Sequence, residues 1–145
     1  MAESAPIILQ VGTKILLKNK EGKFLLLRRN PKKYPEVGPK WDIVGGRINP
    51  GTSLLENLTR EVREETKLEI IGTPRLAGAQ DILRIPGKHV VRLSYEGEAD
   101  GTPIIDEESH EWKWFSPDEI ASIPKAELDE YFSVLLASGA LRLSK

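Results

Sequence analysis

Apolar and polar positions divide the chain into runs of strand length and one strongly helical stretch. Ile7 to Leu17 and Phe24 to Leu27 are apolar runs on either side of Asn19-Lys20-Glu21-Gly22-Lys23, a polar turn with a glycine, and the pair predicts a β-hairpin. Arg28-Arg29 ends the second run. Residues 30–40 carry Pro31, Pro35, Gly38 and Pro39 and read as a loop. Trp41 to Val44 is a short strand running into Gly45-Gly46, and Pro50-Gly51 marks a turn. Ser53 with Glu56 three residues on forms a capping box. Leu55, Leu58 and Val62 then recur on one face, predicting a helix whose last turn holds Lys67, a cation suited to that end of the helix dipole. Strands are predicted at 68–71, 75–85 and 88–99, with Pro86-Gly87 turning between the last two. Trp112, Trp114 and Phe115 predict one more short strand, with both tryptophans on one buried face. Ser116-Pro117-Asp118-Glu119 starts a helix, and residues 126–138 form a final one closed by Gly139. Strands on both sides of a central helix predict an α/β domain with a mixed sheet.

Composition narrows the class. A chain of 145 residues suffices for one domain, 1–145, with a proper core. Its 21 basic and 22 acidic side chains leave a net charge of −1, which argues against a nucleic-acid partner but not against a small phosphorylated ligand. The absence of cysteine excludes disulfides, a thiol nucleophile and thiolate metal sites. The longest apolar runs fall far short of the ~20 residues that span a bilayer. Residues 1–6 lack the basic start and apolar stretch of a signal peptide. A cytoplasmic protein with no membrane partner is expected, and a homodimer is compatible with the sequence.

The candidate chemistry lies between Gly45 and Leu68. Glu61, Glu64 and Glu65 are spaced i, i+3, i+4 and project from one side of a helix. Carboxylates that close repel one another, and a divalent cation cancels the repulsion. Hard oxygen ligands at this spacing suit Mg²⁺ or Mn²⁺. Arg60 stands beside them, ready to hold one carboxylate by a bidentate contact. A glutamate triplet alone is more often a solvated acidic face. Here Gly45-Gly46 precedes it, and paired glycines at a strand end let the backbone approach a metal or phosphate closely.

The 23 residues from Gly46 to Leu68 resemble the Nudix box, the signature of a family of pyrophosphohydrolases. Gly46, Arg60, Glu61, Val62, Glu64, Glu65 and Leu68 match in register. Thr52 stands where the box has its first glutamate, and Lys67 where it has its second glycine. The strand ending in Arg28-Arg29 before the box and the Trp114-Phe115-Ser116-Pro117-Asp118-Glu119-Ile120 segment after it also resemble the family.

The resemblance implies a Nudix fold, a mixed sheet sandwiched between helices. It implies metal ligation by Glu61, Glu64, Glu65 and the Gly46 carbonyl, and in-line attack of water on a nucleoside diphosphate linked to another group. Nucleoside triphosphates and dinucleoside polyphosphates are the leading substrates, with ADP-ribose-type nucleotide sugars as the alternative. Arg28 and Arg29 are candidates for gripping a terminal phosphate. Trp41 is favoured over Tyr34 and Trp114 for stacking a base, since it precedes Gly45-Gly46. The family draws its general base from the box helix or from a later loop, here Asp106 to Glu111, with Glu108 and Glu111 as candidates. Thr52 lacks the charge that supports the loop entering the helix, and Lys67 costs the helix a residue suited to a left-handed end. These departures motivate one alternative, a nucleotide-binding module with little turnover, and a nucleic-acid-processing factor sharing the box is another. The retained glutamates speak against the first, and the net charge against the second.

Overall fold

The structure, a computed structural model, describes residues 6–33 and 39–143. Its strands are β1 (Ile8–Lys18), β2 (Phe24–Arg29), β3 (Trp41–Asp42), β4 (Val44–Arg47), β5 (Ile71–Ile82), β6 (Lys88–Glu98) and β7 (Ser109–Phe115). The helices are α1 (Leu54–Thr66), α2 (Pro117–Ala121) and α3 (Glu130–Ser138). One mixed sheet runs β3-β2-β1-β6-β5, with β4 on β1 and β7 on β2.

The predicted hairpin exists only at its base. β1 meets β2 at Lys18 and Phe24 alone. It then turns away to pair antiparallel with β4 and, along its whole length, parallel with β6. This explains why β1 and β2 read as continuous apolar runs, because strands covered on both faces need no polar side. Ile15, Leu17, Leu25, Leu27 and Val44 face one way and pack with Leu58 and Val62 of α1. The alternate residues Leu16, Phe24, Leu26 and Ile43 face the other way and pack with Leu128, Phe132 and Leu135 of the C-terminal segment. Each fully buried aliphatic side chain contributes about 1.5–3 kcal/mol. The sheet is sandwiched between helices, as the resemblance implied.

Local differences have local causes. Leu55, expected on the buried face of α1, is 44% exposed. The covered stripe is narrower and comprises Asn57, Leu58, Val62, Glu65 and Thr66. Leu68 is buried but not in a strand, and β5 begins only at Ile71. Trp41 to Val44 divides into two short strands, because β3 pairs with β2 while β4 pairs with β1. The last helix starts late. Lys125–Glu127 is a 3₁₀ turn, Leu128 bridges to Trp41, and Asp129 caps α3 by accepting from the Tyr131 and Phe132 N–H groups. Trp112 and Trp114 are only partly buried, against the α1-side core.

Candidate active site

Strand β4 carries Gly45 and Gly46 past β1, where they lie opposite Lys14 and Thr13. Gly45 has φ +139, and a Cβ there would stand 2.0 Å from the Thr13 carbonyl oxygen, so no other residue fits. At Gly46 a Cβ would come within 2.7 Å of Glu61 Oε2, so the Glu61 carboxylate sits directly against this backbone. The capping box predicted at Ser53 and Glu56 fixes the start of α1, which then presents its glutamates to the glycines.

Glu65 is buried and accepts the Gly45 N–H at 3.1 Å. Burial, reinforced by the Glu61 charge, pushes its carboxyl up to about 8, although Lys14 and the Gly45 N–H pull the other way. Burial also raises Glu61, with Arg60 opposing and Glu64 reinforcing the rise. Glu64 points outward, with its side chain 56% exposed. Arg60 does not make the expected bidentate contact. It divides its fork between two acids, Nη2 lying 3.0 Å from Glu61 and Nη1 2.9 Å from Glu64.

A narrow cleft beside these acids is lined by Lys14, Leu27, Arg29, Asp42, Gly45 and Glu65. Beneath it lies a buried charge network. Asp42 contacts Lys14 at 3.2 Å and Arg92 at 2.9 Å, and Arg92 reaches Asp129 at 3.4 Å. Lys14 Nζ also donates to the Gly45 carbonyl at 3.3 Å.

The structure separates the expected site residues. Gly45, Gly46, Glu61 and Glu65 meet, and Arg29 and Glu108 line the same cleft. Arg28, on the opposite face of β2, does not join them. It ion-pairs with Glu111 and Glu127 and donates to the Pro39 carbonyl, so Glu111 is also held away from the cleft. Adjacent residues of a strand point to opposite faces, and only one of the two arginines can reach the cleft. Trp41 is 7% exposed, packed edge-on against Phe115 and beneath the Arg28 guanidinium, so its ring is part of the core rather than a surface for a base. Tyr34 lies outside the described residues. Ser109 to Glu111, expected in a loop, belong to β7, and the His110 ring contacts the Arg29 carbonyl. Thr52 closes the preceding turn by donating to the Asn49 carbonyl.

Four residues at the site escaped sequence reasoning: Thr13, Lys14, Asp42 and Asn57, all buried. The available signal was their polarity inside apolar patterns, since buried polar side chains need partners.

Among the described residues, no three acidic, histidine or cysteine side chains already converge as ligands. The donors nevertheless fit a hard divalent cation. Glu61 and Glu65 offer oxygens against the glycine backbone, with a desolvation cost the surrounding cations leave uncompensated. Glu64 holds Arg60 through Oε2.

Comparisons with known proteins identify the family. The family described as NUDIX domain matches residues 8–135. The NAD-capped RNA hydrolase NudC of Stutzerimonas stutzeri (strain A1501) is 31% identical over 105 residues, which are 71% of this chain and 36% of that protein. The uncharacterized Nudix hydrolase YvcI of Bacillus subtilis (strain 168) is 28% identical over 104 residues, 68% of this chain and 65% of that one. The chain therefore spans 36% and 65% of these two relatives' lengths. The crystal structure of the MutT protein from Methanosarcina mazei Go1 superposes with a TM-score of 0.79 at 29% identity, covering 93% of this chain and 95% of that one. With its box residues gathered at one end of α1 and a matching family pattern over most of its length, the chain belongs to the Nudix hydrolase family.

Proposed function

We propose that this chain, acting as a single domain, hydrolyses a phosphoric anhydride bond in a nucleoside diphosphate linked to another group. Glu61, Glu64, Glu65 and the Gly46 carbonyl would hold the cation, Mg²⁺ or Mn²⁺. The observation that carries this reading is the placement of Glu65, a buried carboxyl against the Gly45 N–H whose ionisation the protein opposes. An acid in that position wants either a proton or a cation. A bound divalent cation supplies neutralisation of the pyrophosphate oxygens and a more acidic water.

The chain's own residues do the rest. The Gly45 N–H orients Glu65, and Arg60 steadies Glu61 and Glu64. Arg29, lining the cleft, is the cation placed to meet a phosphate, and it favours an extended, highly charged chain, a nucleoside triphosphate or dinucleoside polyphosphate. Glu108 is the better general-base candidate, since it lines the cleft, at 3.8 Å from Lys33, whereas Glu111 pairs with Arg28 away from it.

Phosphate release from a panel of triphosphates, dinucleoside polyphosphates and nucleotide sugars tests the reading. Turnover should require Mg²⁺ or Mn²⁺ and stop with a chelator. Full activity in excess chelator would refute the metal assignment, and a clear preference for ADP-ribose would refute the substrate class.

A further inference from the structure

We propose that Asn57 is a positioning residue, holding the Gly46 carbonyl and Arg60 in place around the metal-binding glutamates where Thr52 supplies no carboxylate. The proposal rests on the reading that Gly46, Glu61 and Glu65 bind a divalent cation.

Asn57 lies on α1 and is fully buried, 0% exposed, beside the apolar Leu58. Asparagine is a poor helix former, and burying its amide without partners is strongly unfavourable. A leucine would fill the same space without either penalty. The amide is fully engaged instead. Nδ2 donates to Thr13 Oγ1 at 2.8 Å and to the Gly46 carbonyl at 3.3 Å, while Oδ1 accepts from Arg60 Nη2. Its orientation is settled by these neighbours, because a carbonyl only accepts and a guanidinium only donates.

The contacts to Gly46 and Arg60 bear on the site, and the one to Thr13 on the fold. The Gly46 carbonyl has two lone pairs, and one bond from Asn57 fixes its direction while leaving the other for a cation. Arg60 is gripped at Nη2 by Asn57 and by the Arg47 carbonyl at 3.3 Å, which sets where its fork meets Glu61 and Glu64. The Thr13 bond ties the assembly to β1. In the family the first box glutamate supports the loop entering the helix. Here Thr52 turns its hydroxyl to Asn49 in its own turn, and Asn57 ties the helix to the Gly46 carbonyl, beside the Glu65 bond to the Gly45 N–H.

The test is a calorimetric titration of the full chain with Mn²⁺ alone, together with melting temperatures and steady-state kinetics. Asn57→Leu should weaken Mn²⁺ affinity about tenfold or more, as losses of outer-shell partners do, and lower kcat while leaving the substrate KM little changed. Thr13→Val severs the bond to β1 but spares the Gly46 contact. It should lower the melting temperature and keep Mn²⁺ affinity within about twofold of the parent. If the leucine variant does not fold, Asn57→Ala, which removes the same donor without bulk, is read in its place. Mn²⁺ affinity within twofold of the parent in the Asn57 variants overturns the proposal. So does an equal loss of affinity in Thr13→Val, which would assign the effect to the fold. A parent that binds no Mn²⁺ overturns the metal reading itself, and this inference with it.

Discussion

Asp42 and Glu65 are two buried acids on either side of Lys14, and their surroundings treat them oppositely. Burial alone would raise both. At Asp42 the charges of Arg92 and Lys14, with the Arg92 hydrogen bonds, more than cancel that rise, and the carboxyl ends far below the usual range. At Glu65 the opposing groups, Lys14, the Gly45 N–H and Arg29, fall short of burial and the nearby Glu61, and the carboxyl ends near 8. One acid is neutralised by the protein's own cations. At the other, burial outweighs them. A compensated buried charge is a piece of architecture, whereas an uncompensated one marks a place where a ligand is expected.

Substitution of each acid by its amide should break the comparison cleanly. Glu65→Gln is expected to reduce turnover by about two orders of magnitude or more, the loss of ~3 kcal/mol of transition-state stabilisation. Without metal the variant should melt no lower than the parent and, at alkaline pH, higher, because the amide has no charge to desolvate. Asp42→Asn should do the reverse to the fold. It leaves Lys14 and Arg92 buried without their common anion, at a cost of about 3 kcal/mol. For a chain of this size that is roughly 10 °C in melting temperature. Scanning calorimetry in chelator, paired with turnover in Mg²⁺, distinguishes the two. A lower melting temperature for metal-free Glu65→Gln would mean that Glu65 is as well compensated as Asp42, and the contrast would fail.

The same pair sets opposite pH windows. Glu65 has its folded value raised from 4.5 to about 8, so the folded protein holds that proton more tightly than the unfolded chain. Its contribution to stability is full below 4.5 and is lost as pH rises through about 8. Asp42 is lowered from 3.8, so its contribution is present above that value and lost as pH falls toward the depressed one. Denaturant midpoints of the metal-free protein should therefore decline as pH rises from about 5 to about 8, and Glu65→Gln should remove part of that decline. Divalent cation should remove it as well. A parent curve already flat between about pH 5 and 9 in chelator would contradict the assignment.

The two acids also differ in how far the sequence announces them. Glu65 belongs to an i, i+3, i+4 cluster with a capped helix start, a pattern written in neighbouring residues. Asp42 is a lone acid in a short apolar stretch, and its partners Lys14 and Arg92 are 28 and 50 positions away. Only the pairing of β1 with β6 and with β4, the strand that follows Asp42, brings them together, and no local periodicity encodes such a pairing. Arg28 and Arg29 show the same limit at finer scale. A basic pair at a strand end was legible, but which one faces the cleft depends on the pleat and on the pairing with β7. Strand existence was read well for the long runs. The boundaries at Leu68 and Leu128 were missed because both residues are buried by tertiary contacts without belonging to an element.

The smallest expected effect tests whether the surroundings of Glu65 are strained as well as charged. Lys67, two residues on, is the only described residue other than glycine with positive φ; at φ 63 and ψ 11 it is the left-handed C-cap of α1, its N–H donating to the Arg63 carbonyl. A side chain in that conformation costs about 1 kcal/mol relative to glycine, and the family pattern has glycine here. Lys67→Gly should therefore raise stability by about 1 kcal/mol, or roughly 3 °C, with the entropy of the more flexible unfolded chain taking back part of the gain. Lys67 is exposed and Glu65 is held from the other side by Gly45, so turnover should stay within about twofold of the parent. A gain in melting temperature with unchanged turnover locates the strain at the cap alone. A gain accompanied by lost turnover would mean that the strained cap helps hold Glu65 in its uncompensated position, adding a backbone component to what separates it from Asp42.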